Sequence, residues 1–210
     1  MNLMTWATLL LFLGCASQPF VKEIPLTNTP GKNFDLDNND NFSPDDLWLC
    51  YDTRTDKGGI GECTTIEMIN VRTAEIRLLY QTQNPTEFGP GVGAVSFSHS
   101  ENKVIFIHGL LNCNASRPYA QWRRTGVIID IARPGQPVFM DARDVTPPFT
   151  PGALRGGTHR HEWSGDGKWI GFTYNDAVMK ALEDRTGEPW NLRTIGVSTQ
   201  GNPVMVDRDA

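Results

Sequence analysis

The sequence predicts an all-β fold, an incomplete β-propeller of about three four-stranded antiparallel blades. The first observation is composition: 20 glycines and 14 prolines in 210 residues imply many turns, and only 20% of the residues are charged. The second is a repeat in which an aromatic residue, a serine and a polar turn precede an apolar strand. Its three copies occupy residues 42–52, 97–107 and 163–173.

Each copy of the repeat predicts a β-hairpin. An inner strand ends on the aromatic residue, the polar turn reverses the chain, and the apolar strand returns beside it. Two more strands follow each hairpin and complete a blade. They are predicted at residues 65–71 and 75–81, at 126–131 and 137–140, and at 192–197 and 203–206.

The recurring serines of the repeat are Ser43, Ser98 and Ser164. A small hydroxyl is typical of such turns because it bonds to nearby backbone groups. None of the three lies in the Gly-x-Ser-x-Gly pattern of serine hydrolases. We therefore predict a structural role for them.

The repeats are 55 and 66 residues apart, longer than the ~40 to 50 of compact blades, so loops must project from them. We call residues 112–124 the first insertion, 144–157 the second insertion and 177–190 the third insertion. A short helix is predicted at 177–182. Trp122 and Trp190 lie on insertions and are candidates for surface recognition.

The first residues predict export. Residues 6–13 form an apolar run of secretory length, far below the ~18 residues of a membrane span. The run ends at Gly14 and Cys15, as in a bacterial lipobox, so we expect a lipid on Cys15 and a tether at 16–27 before a domain at 28–210. The protein would then be anchored in the cell envelope, facing the periplasm or exterior. An ordinary signal peptide or a misplaced start codon are the alternatives.

The charge of the chain limits its possible binding partners, and its cysteine content limits its possible disulfides. A net charge of −5 with scattered Lys and Arg leaves no basic surface for nucleic acid. After Cys15 the chain has Cys50, Cys63 and Cys113, so at most one internal disulfide can form. We expect an envelope protein or glycan as partner, and membrane contact through the lipid only.

The aromatic-Ser-Pro-Asp-Gly turn resembles the repeat of TolB-type propellers. A broader likeness, carried by residues 104–109, 144–152, 155–159 and 172–176, is to the uncharacterised YidR-like bacterial family. Its members are longer than this chain, and its function is unknown. The lipobox-like leader departs from the family.

Three blades are fewer than the four to eight that close a propeller. We therefore expect the chain to be a fragment of a longer protein, with the remaining blades missing. The alternative is a small chain that closes a ring by oligomerising.

The best candidate for chemistry is the pair His159 and His161. Residues two apart on a strand share a face, so both imidazoles would point to the central channel. This arrangement resembles the manganese-binding histidines of oligogalacturonate lyases, which are TolB-like propellers. The likeness implies a divalent metal such as Mn, with substrate carboxylates bound by Arg155 and Arg160. The alternative is that the histidines bond to backbone and Arg160 faces solvent.

Two functions follow. The first is a non-catalytic binding or scaffold propeller of the cell envelope. The second is a metal-dependent lyase acting on acidic saccharides, with a base and a cation to stabilise the enolate.

Overall fold

The computed structural model describes residues 22–36, 40–54, 59–201 and 204–206. The predicted leader and Cys15 lie outside these residues. Among the residues described, no helix is long and apolar enough to cross a membrane. Three antiparallel sheets follow one another along the chain, which confirms the incomplete, propeller-like all-β fold.

The first sheet has four strands in chain order. They are β1 (Asn33–Asp35), β2 (Trp48–Arg54), β3 (Thr65–Asn70) and β4 (Ile76–Gln81), with a 3-10 turn at Ile60–Glu62 between β2 and β3. The inner strand expected to end at Phe42 is wrong, because Phe42 forms only an isolated bridge with Leu49. The carbonyl of Asp40 instead accepts a hydrogen bond from the Phe97 backbone in the second sheet (2.6 Å).

The second sheet also has four strands in chain order. They are β5 (Val92–Phe97), β6 (Lys103–Gly109), β7 (Arg124–Asp130) and β8 (Val138–Phe139). As predicted, β5 ends on the aromatic residue of the repeat. This sheet lies between the other two and supplies side chains to both inter-sheet cores.

The third sheet has three strands among the described residues, in the order β9-β10-β11. They are β9 (Gly156–Trp163), β10 (Ile170–Asp176) and β11 (Thr194–Ser198). The fourth strand predicted at 203–206 is wrong over 204–206, which are not strand. Val204 approaches Gly152 of the second insertion, so the chain has left the sheet.

Helix α1 (Ala177–Thr186) extends four residues beyond its predicted end. It begins where the Asp176 carboxylate accepts hydrogen bonds from the backbone of Val178 and Met179. It ends at Gly187, which has φ 75 in the left-handed region that glycine adopts without strain. The capping residue Asp176 is also the last residue of β10, so it fixes the start of the helix to the third sheet.

The repeated turns confirm the role of the serines. The hydroxyl of Ser43 accepts from the Trp48 backbone at 3.0 Å and donates to Asp45 at 2.6 Å. Ser164 does the same with Trp169 at 3.0 Å and Asp166 at 2.8 Å. The hydroxyl of Ser98 accepts from two backbone N–H groups of its own turn. These serines hold the hairpins.

Apolar side chains from facing sheets fill the core. Between the first and second sheets, Met68 and Ile66 pack with Phe97 and Phe106. Between the second and third, Ile105 packs with Trp163 and Ile170. The three described cysteines are free thiols. Burial raises the pKa of Cys63 to about 11, so this thiol is unreactive at neutral pH.

The third sheet has one face without a neighbour among the described residues. Ile195 and Val197 on β11 are 87% and 64% exposed. They pair with Thr173 and Gly171. In the second sheet the equivalent face, containing Ile105 and Ile128, is covered by the third sheet.

Candidate functional site

A β-bulge separates the two histidines of β9. Residue pairing runs from His159↔Thr173 to Glu162↔Gly171, so Arg160 and His161 together oppose Phe172. Arg160 has φ 57, a left-handed conformation unusual for a residue with a side chain. Because Thr173 and Phe172 lie on opposite faces, so do His159 and His161. The shared face that we expected is wrong.

The bulge repeats one sheet earlier. Ala94 of β5 has φ 52, and the same register shift falls between Gly93 and Ser96. Counting back from the aromatic residue of each repeat, Ala94 corresponds to Arg160, and Val95 to His161. His161 therefore occupies a core position of the blade, and Arg160 a bulge that the fold uses twice.

His161 is fully buried and belongs to a polar chain between the sheets. Its Nε2 lies 3.0 Å from the Thr158 hydroxyl, which donates to the carboxylate of Asp141. Asp141 also accepts from the Gly126 backbone at 3.1 Å. Since the single proton of Thr158 points to Asp141, His161 carries its proton on Nε2 and donates it.

Burial sets the charge states of this chain. It lowers the pKa of His161 to about 3, which keeps the imidazole neutral. Burial likewise raises the pKa of Asp141, opposed by hydrogen bonds from Thr158, Gly126 and Thr125. A neutral histidine bonded to a threonine is a structural arrangement, although its partner is a side-chain hydroxyl and not the backbone group that the alternative interpretation of the sequence expected.

His159 lies on the face that has no neighbouring sheet and near Thr173, whose hydroxyl is 3.4 Å from Nδ1. Burial and the positive charges of Arg124 and Arg193 lower its pKa to about 4. No group of three or more His, Cys, Asp or Glu side chains within the described ranges could hold a metal. The pair does not fit a common metal ion, and metal binding by either histidine stays a prediction.

The two predicted substrate-binding arginines do not converge either. The Arg155 guanidinium pairs with Asp176 at 2.7 Å and lies over the ring of Phe149. It therefore ties the start of β9 to the cap of α1. Arg160 is exposed at the bulge. Substrate binding by either arginine stays a prediction.

The other two histidines have local partners. His108 is buried, and its Nε2 lies 2.9 Å from the hydroxyl of Tyr80. His99 lies in the turn after β5 and contacts Asp40 at 3.3 Å. His108 and His99 thus each contact a residue outside β9, Tyr80 and Asp40 respectively.

The three insertions meet at one cleft of about 340 Å³. The first insertion contributes Trp122 and Arg123, the second Val145, and the third Lys180, while Arg143 lies just before the second. Lys180 Nζ lies 5.2 Å from the centre of the Trp122 ring. We call this the insertion cleft.

The comparisons with known proteins agree with the sequence likeness. Residues 91–210 match a family described as a protein of unknown function, DUF3748. The chain belongs to the DUF3748 family. It is also 36% identical over 177 residues to the uncharacterized protein YidR of Escherichia coli, covering 84% of this chain and 40% of that protein. The chain therefore spans less than half the length of this curated relative.

The insertion cleft of this DUF3748 chain was only partly visible in the sequence. The repeat spacing located all three insertions, and Trp122 was a predicted recognition residue. Arg123 and Arg143 were missed because the repeat spacing does not show which residues of separate loops meet. A sequence signal exists in hindsight, since insertions in repeat folds tend to project from one side.

Two glycines at the start of β9, Gly156 and Gly157, explain how the second insertion joins the sheet. A side chain on Gly156 would place its Cβ 2.0 Å from the Asn175 carbonyl oxygen. One on Gly157 would meet the Gln121 carbonyl oxygen at 2.3 Å. Only glycine permits these backbone approaches. Gly157 thus holds β9 against the first insertion beside the cleft.

Proposed function

We propose that this chain is part of an exported, lipid-anchored TolB-type propeller that binds an envelope protein or glycan without catalysing a reaction. The observation that carries this proposal is the convergence of all three insertions on one cleft. Loops that project from a repeated scaffold are a common place for binding residues.

The arrangement of β9 also favours binding over catalysis. His161 is neutral and serves the core. His159 lies on the opposite face. A metal-dependent lyase would need both imidazoles, or one of them with other ligands, around one ion.

We further propose that additional blades cover Ile195 and Val197. Both side chains occupy the face that a neighbouring sheet covers in the second blade. Burying such side chains stabilises a fold by about 1.5–3 kcal/mol each. The matched relative, longer than this chain, supplies the length for further blades.

The anchor is tested through Cys15. In a bacterium fed a labelled fatty acid, we expect the chain to carry the label and sediment with membranes. Cys15→Ser should lose the label and most of the membrane fraction, because only the thiol accepts the lipid. A matched Cys113→Ser variant, altered at a half-buried thiol, should behave as wild type. Label retained by Cys15→Ser would contradict the anchor.

Binding is tested through the cleft tryptophan. The purified chain without its leader should co-sediment saturably with isolated envelopes, and Trp122→Ala should weaken this at least fivefold because its ring lines the cleft. Trp190→Ala is the matched control, since Trp190 is a half-exposed insertion residue that does not line the cleft. Equal binding by all three proteins would overturn the binding function.

A further inference from the structure

Two neighbouring guanidinium groups of the insertion cleft have only neutral acceptors. Arg143 is 8% exposed, and its Nη2 donates to the Trp122 carbonyl oxygen at 3.4 Å. Arg123 donates from Nη2 to the Asn112 side-chain oxygen at 2.6 Å. Within the described residues neither arginine forms an ion pair. The buried Nε of each has no hydrogen-bond partner there.

A buried donor without an acceptor is costly, more so when the group is charged. Burial and the nearby positive charge of Arg123 lower the pKa of Arg143 to about 10. Arg143 is therefore still a cation at neutral pH, and the two charges repel. An anion in the cleft would relieve the repulsion and pair with the two guanidinium groups that line it.

The residues of α1 that line the cleft add no net charge to it. Lys180 pairs with Asp184, which also lines the cleft, and with Glu183, which does not, so the charges of Lys180 and Asp184 largely offset each other. Arg117 adds another positive charge at the rim. The cleft is therefore cationic although the whole chain is acidic.

The apolar lining indicates what kind of anion fits. The cleft also contains the Trp122 ring and small apolar side chains, namely Pro118, Ala120, Val145, Ala177 and Ala181. A volume of about 340 Å³ is at the lower end for small-molecule sites. Guanidinium groups match the planar geometry of a carboxylate. An organic carboxylate with a compact body would satisfy both the donors and the apolar wall.

We propose that the insertion cleft binds a small organic carboxylate, with Arg143 and Arg123 holding the carboxylate and Trp122 packing against the body of the ligand. This inference rests on the proposed binding function and names the chemistry of its ligand.

The test follows the indole N–H signal of Trp122 by NMR in the full chain while cyclohexanecarboxylate is added. We expect a saturable shift for this probe, and at least tenfold weaker binding of its uncharged analogue cyclohexanemethanol and of inorganic phosphate. Arg123→Lys and Arg143→Lys keep the positive charge but lose the planar guanidinium group that can donate two parallel hydrogen bonds to a carboxylate, so each should weaken carboxylate binding at least tenfold. Arg133→Lys, altered at an exposed arginine outside the cleft, should bind as wild type.

Spectra of the unbound variants verify folding. If the more buried Arg143→Lys variant misfolds, the test uses Arg123→Lys alone. The inference is overturned if the shift does not saturate, if the alcohol or phosphate binds as tightly as the carboxylate, or if the folded lysine variants bind as wild type. Envelope binding is a separate measurement. Its loss with carboxylate binding intact would overturn the binding function alone.

Discussion

Replacing Asp52 with alanine is expected to lower the free energy of unfolding by about 3–5 kcal/mol, the usual cost of breaking a buried charge pair. Asp52 lies on β2 and is fully buried. Its carboxylate accepts from Arg54 Nε at 2.9 Å and from the Ala94 backbone N–H at 2.7 Å. The substitution removes the acceptor for both.

The second of these bonds explains the expected size of the effect. Ala94 is the left-handed residue of the β5 bulge. Asp52 thus joins the first sheet to the second at the point where the backbone of β5 departs from regular pairing. Since most domains are stable by only about 5–15 kcal/mol, the variant should lie close to unfolding at ordinary temperature.

Urea unfolding followed by tryptophan fluorescence measures this loss. Asp52→Asn, which still offers an oxygen to Ala94 and lacks the charge opposite Arg54, should lose an intermediate amount. Asp130→Asn, altered at a partly exposed carboxylate paired with Arg133, should unfold nearly as wild type. A loss below about 1 kcal/mol for Asp52→Ala, within the range of surface substitutions, would show that the sheets do not depend on this carboxylate.

The strand pattern could be predicted because local chemistry determines it. Ser43 and Ser164 form the same turn through the same two hydrogen bonds. A turn of that kind needs only neighbouring residues, and these are visible in the sequence. Eight of the nine strands predicted after the turns have counterparts in the structure, with ends that differ by a few residues.

The inner edge of the first blade could not be predicted in the same way. The sequence places an aromatic residue, Phe42, where a strand should end. In the structure, Asn41 next to it donates to the carbonyl oxygens of Cys50 and Val95, each at 3.1 Å. This bond between blades competes with strand pairing, and its partner is distant in the sequence.

The bulge on β9 was invisible for a different reason. Glycine usually marks a left-handed position, whereas here Arg160 and Ala94 occupy it. With no glycine to signal the extra residue, regular alternation placed His159 and His161 on one face. A one-residue shift moves a side chain to the other face of a strand, so this single conformation changed the interpretation of the site.

His161 should also make the protein sensitive to acid, and this is the second large effect that we expect. Its pKa is about 3 in the folded protein and about 6.5 when unfolded, so below pH 6.5 the unfolded chain binds a proton that the folded one does not. Stability is therefore present above pH 6.5 and is lost as the pH falls. From pH 6.5 to 5 this one group should cost about 2 kcal/mol.

Unfolding in urea at pH 6.5 and pH 5 measures the loss of stability. His161→Val should remove the part of this pH dependence that comes from the binding of one proton. Valine is the informative replacement because Val95 occupies the equivalent core position of the second sheet. His159, whose pKa also falls to about 4, should contribute in the same direction, whereas Asp141, whose pKa is raised by burial, contributes in the opposite direction, so the slope of the variant is compared with that of the wild type and not with zero.

An unchanged slope in His161→Val would mean that this histidine is not held neutral in the core, and the structural role assigned to it would fail. Metal analysis of the wild type and of His159→Ala and His161→Ala completes the test. Stoichiometric manganese that is lost in both variants would restore a site shared by the two histidines and favour the lyase. If His161 is a core residue, we expect instead that its imidazole stabilises the blade through its hydrogen bond with Thr158, which in turn bonds to Asp141. Added metal should then not change the stability.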